Sequence, residues 1–292
     1  MRAGMLETYT PSGRFGLGGS MIAFAAAVPA GLVAGALYGV LELVNPLIYF
    51  TVIGTFLLGL GLGLGNNLLL KFAQVRAPLL AALLALWISL WGMYGTWAGW
   101  STAFLYQYGE GGVVWDPITL IGLMMTVIEV GAWSIKDFTP TGPLLAGIWA
   151  LEALIIVGAA LFVGRSQASE PYCERTGLWY ATELEGQMLE DLSDEQLFKM
   201  CGDNALIDLA ARRLTTADVV LVATLKVGQG PPETGALSFE RVTVTVDSKG
   251  KKKATRTDIL KHFMVRGLAL EAARKMPTAF QQANQDGDGD DD

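Results

Sequence analysis

Four long apolar runs, Met21 to Val44, Leu47 to Leu70, Pro78 to Phe104 and Gly142 to Val163, constrain this chain more than any other feature. Each reaches the roughly 20 residues that a helix needs to cross the hydrocarbon of a bilayer. An unpaired strand in lipid would leave its peptide groups without partners, so helices are expected. Only 17% of the residues are charged, against about 25% in an ordinary soluble domain, and mean hydropathy is +0.40. The charges are also partitioned: 16 of the 21 Lys+Arg and 21 of the 28 Asp+Glu follow Gly164. The fold class read from this is a membrane all-α bundle of four transmembrane helices plus one amphipathic or re-entrant helix, followed by a small soluble α+β domain. Its parts are an N-terminal cytosolic segment (1–20), the helical domain (21–164), the soluble domain (165–278) and a disordered acidic tail (279–292).

The helix at 117–135 is ambiguous, because Thr119, Gly122, Thr126 and Glu129 give it a polar stripe. It can cross with the stripe turned toward other helices, or lie flat at an interface. Arg2 and Arg14 precede the first run and Lys71 and Arg76 follow the second, whereas Glu42, Glu110 and Asp116 mark the alternate connections. Positive charge stays inside, so the N-terminus is assigned to the cytoplasmic face of the cell (inner) membrane. Four crossings bring the chain back at Arg165 and leave the C-terminal domain in the cytosol; five would export it and put Lys136 inside. Four is preferred, because it needs no odd span and keeps Cys173 and Cys201 as reduced free thiols. The first apolar run exceeds a secretory h-region and is read as an uncleaved span.

The stretch GLGLGLGNN, Gly59 to Asn67, matches neither a dinucleotide loop nor a Walker loop. On a helix, residues four apart nearly superpose, so Gly59 with Gly63 makes one smooth face and Gly61 with Gly65 another. Ala27, Gly31, Gly35 and Gly39 repeat the spacing in the first run, and Gly142, Ala146, Ala150 and Ala153 in the last. Such faces let backbones approach where lipid supplies no hydrophobic drive, so all are expected at helix contacts. Asn66 shares the Gly59/Gly63 face and is expected to hydrogen-bond across it, while Asn67 points elsewhere, toward headgroups beside Lys71.

Among groups that could carry chemistry, Glu152 stands in mid-run, where an ionised carboxylate is costly and often functional. Without a second acid or base in view, Glu152 alone makes a poor relay. Trp87, Trp91 and Tyr94, continued by Trp97 and Trp100, form an aromatic row best explained by packing. Ser101 has no base within the apolar half, since His262 is the only histidine. PYCERTGLWY is half a zinc knuckle with Thr176 in the place of its second cysteine. The terminal DGDGDDD lacks the glycine and closing Glu of a calcium loop. No metal and no cofactor are expected, and the net charge of −7 argues against nucleic acid.

In the soluble half, LSDEQLFKMCG reads as a helix with a Ser193/Gln196 capping box. ADVVLVATLKV and SFERVTVTV read as strands, Asp247 to Gly250 as a turn, and ILKHFMVRGLALEAARKM as helix, at the least from Arg266 to Lys275. Lys249, Lys251, Lys252 and Lys253 cluster at that turn and could touch anionic lipid. The function expected is a non-catalytic structural or scaffold subunit, packing as a homo-oligomer or with other membrane-protein subunits and presenting a cytosolic domain. The rival is a transporter or channel component that uses Glu152 and Asn66.

Overall fold

In a computed structural model the chain divides into two compact units, Pro11–Ser169 and Met1–Thr10 together with Glu170–Asp292. The structure describes residues 6–44, 48–134, 138–203, 205–210, 219–230, 233–246 and 251–276. Lys136, the turn at 247–250 with Lys249, and the tail at 279–292 lie outside the described residues.

The first unit is helical: α1 (Leu17–Leu43), α2 (Ile48–Ala73), α3 (Pro78–Gln107), α4 (Pro117–Val130) and α5 (Gly142–Gly164). All but α4 are long and apolar enough, by length and composition, to cross a membrane. Pro78 and Pro117 stand in the first turns of α3 and α4, where a missing N–H leaves no bond unmade. The Asp116 carboxylate caps α4 by accepting the Thr119 N–H at 2.7 Å. Only 14 residues long, or about 21 Å, α4 ends where Gly131 takes φ 93°. The expected helix to residue 135 is therefore cut short by a backbone conformation that glycine alone adopts freely. Its polar stripe is exposed and does not face the bundle: Thr119, Gly122, Thr126 and Glu129 all point outward. Within the unit α1 lies chiefly along α3, and α2 along α5.

The second unit is built on a four-stranded antiparallel sheet ordered β3-β4-β5-β6, with β3 at Ala181–Glu190, β4 at Val219–Val227, β5 at Thr234–Val246 and β6 at Lys252–Arg266. Before it stands a small hairpin of β1 (Tyr172–Cys173) and β2 (Leu178–Trp179). Helices α6 (Asp194–Gly202), α7 (Leu206–Ala210) and α8 (Leu268–Arg274) bury Leu197, Leu209 and Ala273 against Leu221, Leu237 and Phe239 of the sheet. The α6 capping box is present, with Ser193 and Gln196 bonded reciprocally at 3.2 and 3.3 Å.

Two assignments change in this unit. ILKHFMVR is not helix but the second half of β6, whose Leu260, Phe263 and Val265 enter the core while Lys261 stays in water. The helix starts only at Leu268, after Gly267 breaks the chain at φ 54°. The charged residues of ATELEGQMLE carry little strand preference. Pairing with β4 makes it β3, with register shifts between Thr182 and Gln187.

The stretch 1–20 also divides. Residues from Leu17 belong to α1, whereas residues 7–9 lie along the free edge of β6. The Tyr9 N–H donates to the His262 carbonyl at 2.8 Å, the Met264 N–H donates to the Glu7 carbonyl at 2.8 Å, and Arg266 pairs with Glu7 at 3.0 Å. An edge strand that would otherwise present unpaired backbone is thereby covered by the segment that precedes α1.

Candidate functional site

The glycines of α1 meet the α3 backbone directly. A Cβ on Gly31, Gly35 or Gly39 would come within 2.6, 1.8 and 2.1 Å of the carbonyl oxygens of Ile88, Gly92 and Thr96. Gly95 and Gly99 return the contact: a Cβ on either would stand 2.4 Å from an α1 carbonyl oxygen, those of Leu32 and Ala36 respectively. Ala27 is fully buried one turn earlier on the same face. In α2, Gly59 and Gly63 lie against α5 at Ile156 and Ala160. A Cβ on Gly61 would meet nothing within 4 Å and one on Gly65 only the Ile88 side chain at 3.8 Å, so within the chain's own bundle close approach uses one face of α2. On α5 the contact is made by Ala159 and Ala160, while Ala150 is exposed.

Asn66 and Asn67 extend the α2–α5 contact to the end of α5. Asn66 is completely buried, and its Nδ2 donates to the carbonyls of Gly164 at 2.5 Å and Ala81 at 3.2 Å. Asn67 Nδ2 donates to the Val163 carbonyl at 2.9 Å and to Ser166 Oγ at 2.8 Å, and its Oδ1 accepts the Gln167 N–H at 3.2 Å. A helix leaves its last four carbonyls without intrahelical partners. The two amides donate to the last two of them, Val163 and Gly164, so Asn67 serves the α5 terminus instead of pointing away from it.

A second polar cluster lies where α1 ends and α2 begins. Tyr38 Oη donates to Glu42 Oε1 at 2.8 Å, shares a 2.9 Å hydrogen bond with Thr55 Oγ1, and lies 3.3 Å from the Thr51 carbonyl. Gly54 makes room for the phenol, since a Cβ there would stand 2.8 Å from the Tyr38 ring. Glu152, half-buried on α5, is within electrostatic reach of Glu42 and Tyr38. Glu42, which the sequence places at a connection, belongs to the last turn of α1 and puts a second acid within electrostatic reach of Glu152. Two carboxylates within electrostatic reach of one another in apolar surroundings can attract a proton or a cation.

The aromatic row divides into two groups of ring contacts, Trp87 to Tyr94 and Trp97 with Trp100. Edge-on contacts run from Trp87 through Trp91 and Tyr94 to Trp115, and Trp97 reaches Trp149 of α5 at 4.7 Å between centroids. The Trp87 indole donates to the Phe24 carbonyl of α1 at 3.1 Å, so the row ties α3 to its neighbours. Ser101 is buried in α3.

In the sheet unit the two thiols differ. Burial alone would push the Cys173 thiol up, but hydrogen bonds from Thr176 and Arg175, with the Arg175 charge, outweigh it and hold the thiol below its usual range. Cys201 is buried in the core and pushed up to about 12 by desolvation. Burial likewise lowers His262. Cys173, Cys201 and His262 do not converge, and among the described residues no three His, Cys, Asp or Glu side chains are grouped as a metal would require. Lys251 and Lys253 are exposed beside the turn. No protein-family model, curated protein or solved structure matches this chain.

Proposed function

We propose that this chain is an integral membrane protein that crosses the bilayer four times, keeps its N-terminal segment and sheet unit together in the cytosol, and acts as a non-catalytic structural subunit. The observation that carries the topology is the pairing of residues 7–9 with residues 262–264. All the apolar helices lie between those segments in sequence, so an even number of them must cross. The four long helices satisfy this, and α4, at about 21 Å, falls short of a hydrocarbon layer about 30 Å thick.

The surface of α4 supports the same arrangement. Leu120, Leu123 and Val127 turn toward the unit, Ile118, Ile121 and Met125 form an exposed apolar flank, and the stripe through Thr126 and Glu129 forms a polar one. Three such sectors suit a helix lying in the membrane plane, packed on one side and divided between acyl chains and headgroups on the others.

The scaffold reading rests on how the small residues are used. Gly31, Gly35, Gly39, Gly59 and Gly63 are consumed inside the chain's own bundle. Association with copies or with other subunits therefore falls to the sheet unit and the outer helix faces, and the exposed Lys251 and Lys253 are the contact for anionic lipid. Reporter fusions after Thr10, Gly131 and Arg165 test the topology. Cytosolic signals at Thr10 and Arg165 with an external one at Gly131 are expected; an external signal at Arg165 overturns it. Recovery of lone monomers alone after crosslinking in native membranes would remove the subunit role.

The Glu42–Tyr38–Thr55 cluster beside Glu152 favours a second reading, a proton or cation path through a transport component. Glu152→Gln should then abolish a flux while leaving the protein assembled.

A further inference from the structure

Tyr9 and Glu170 stand beside the two points at which the chain passes between its compact units, and His262, the only histidine in the sequence, interacts with both. We propose that His262 is a proton-operated latch on the N-terminal segment: with a neutral imidazole residues 7–9 lie paired along β6, and protonation releases them.

The latch is built from an irregularity in β6. Opposite Leu237 and Phe239 the strand register skips Lys261 and His262, and His262 takes φ 52°, the left-handed region that few non-glycine residues occupy. Its N–H is thereby turned to Ser238 Oγ at 3.0 Å, and its carbonyl accepts the Tyr9 N–H at 2.8 Å. The half-buried imidazole meets the Tyr9 ring edge-on at 6.4 Å between centroids. One side chain therefore lies against the segment whose backbone its own carbonyl holds.

The charges around the imidazole stand in opposed pairs. Lys226 of β4 is bonded to Glu170, Lys261 of β6 is paired with Asp258 at 2.8 Å, and Glu7 of the segment is paired with Arg266. Glu170 and Asp258 favour an imidazolium and Lys226 and Lys261 oppose it, but each of these anions already has a cation, and the loss of water around the half-buried ring decides for the neutral form. Burial accordingly sets the docked imidazole below its ordinary pKa of about 6.5. A group that prefers its neutral form when docked supports docking fully above that ordinary value, and the support is lost as pH falls through it.

The test uses the full chain in detergent, with Cys173→Ser and Cys201→Ala and nitroxides at the exposed positions of Thr10→Cys and Thr257→Cys. Electron-spin distance distributions are recorded between pH 7.5 and pH 5.5. The short-distance population should dominate at the upper end and fall about two-fold or more at the lower. His262→Asn, which tolerates the left-handed conformation and does not titrate, should hold that population throughout. His262→Gly takes its place should the asparagine variant fail to fold. A distribution in the parent chain that ignores pH overturns the proposal, as does an equal fall in the non-titrating variant.

Discussion

Gly35→Ala is the most incisive perturbation of the helical unit. The added methyl would stand 1.8 Å from the Gly92 carbonyl oxygen and 2.8 Å from the Thr96 nitrogen, and both are backbone atoms that no rotamer change can move. To reach an ordinary 3.4 Å contact, α1 must retreat from α3 by about 1.6 Å, and a gap of even 1 Å forfeits up to about half of each dispersion contact. Overpacking of this kind costs about 3 kcal/mol, and the better helix propensity of alanine returns about 1 kcal/mol. The net loss of about 2 kcal/mol is roughly a 30-fold fall in the ratio of folded to unfolded protein. Gly61→Ala is the matched control, for it adds the same methyl where nothing lies within 4 Å. Equilibrium unfolding of the purified full chain in mixed micelles, followed by tryptophan fluorescence, reads the difference. Equal stability of the two variants would refute the close approach of α1 and α3.

Asn66→Ala should destabilise the same unit by about 1–2 kcal/mol in that assay, because the Gly164 and Ala81 carbonyls lose a buried donor. Asn67→Ala, on a half-exposed position, should cost less. A maleimide reagent at neutral pH should modify Cys173 in the folded chain and leave Cys201 untouched until denaturant is added, as peptide mass spectrometry would report. Glu42→Gln keeps a hydrogen-bond acceptor for Tyr38 but removes the charge near Glu152. It should leave unfolding within about 1 kcal/mol of the parent chain and alter any flux that Glu152 supports.

Much of the candidate site was legible one residue at a time. Glu152 stood out because a carboxylate in an apolar run is conspicuous, and Asn66 because an amide beside glycines needs a partner. Their surroundings were hidden. Glu42 looked like the end of a run, since nothing local reveals that Tyr38 and Thr55 close around it. Asn67 was aimed at headgroups because its true partners, Val163 and Ser166, are about a hundred positions away in sequence. The spacing of Ala146, Ala150 and Ala153 on α5 is equally local, and it does not reveal that Ala159 and Ala160 are the residues that meet Gly59 and Gly63 of α2.

Helix in the four long runs follows from the chain alone, because hydrogen bonds between residues four apart satisfy the backbone whatever the neighbours are, and run length and side-chain polarity are local quantities. The capping box at Ser193 is local in the same way. Partnership is different. Which glycine face is filled, which acid has company, that charged ATELEGQMLE becomes a strand, and that residues 7–9 lie beside residues 262–264 all depend on atoms brought together from distant parts of the chain. Several sets of partners would satisfy the same pattern of small, apolar and polar residues, and only the energies of the assembled packing distinguish among them.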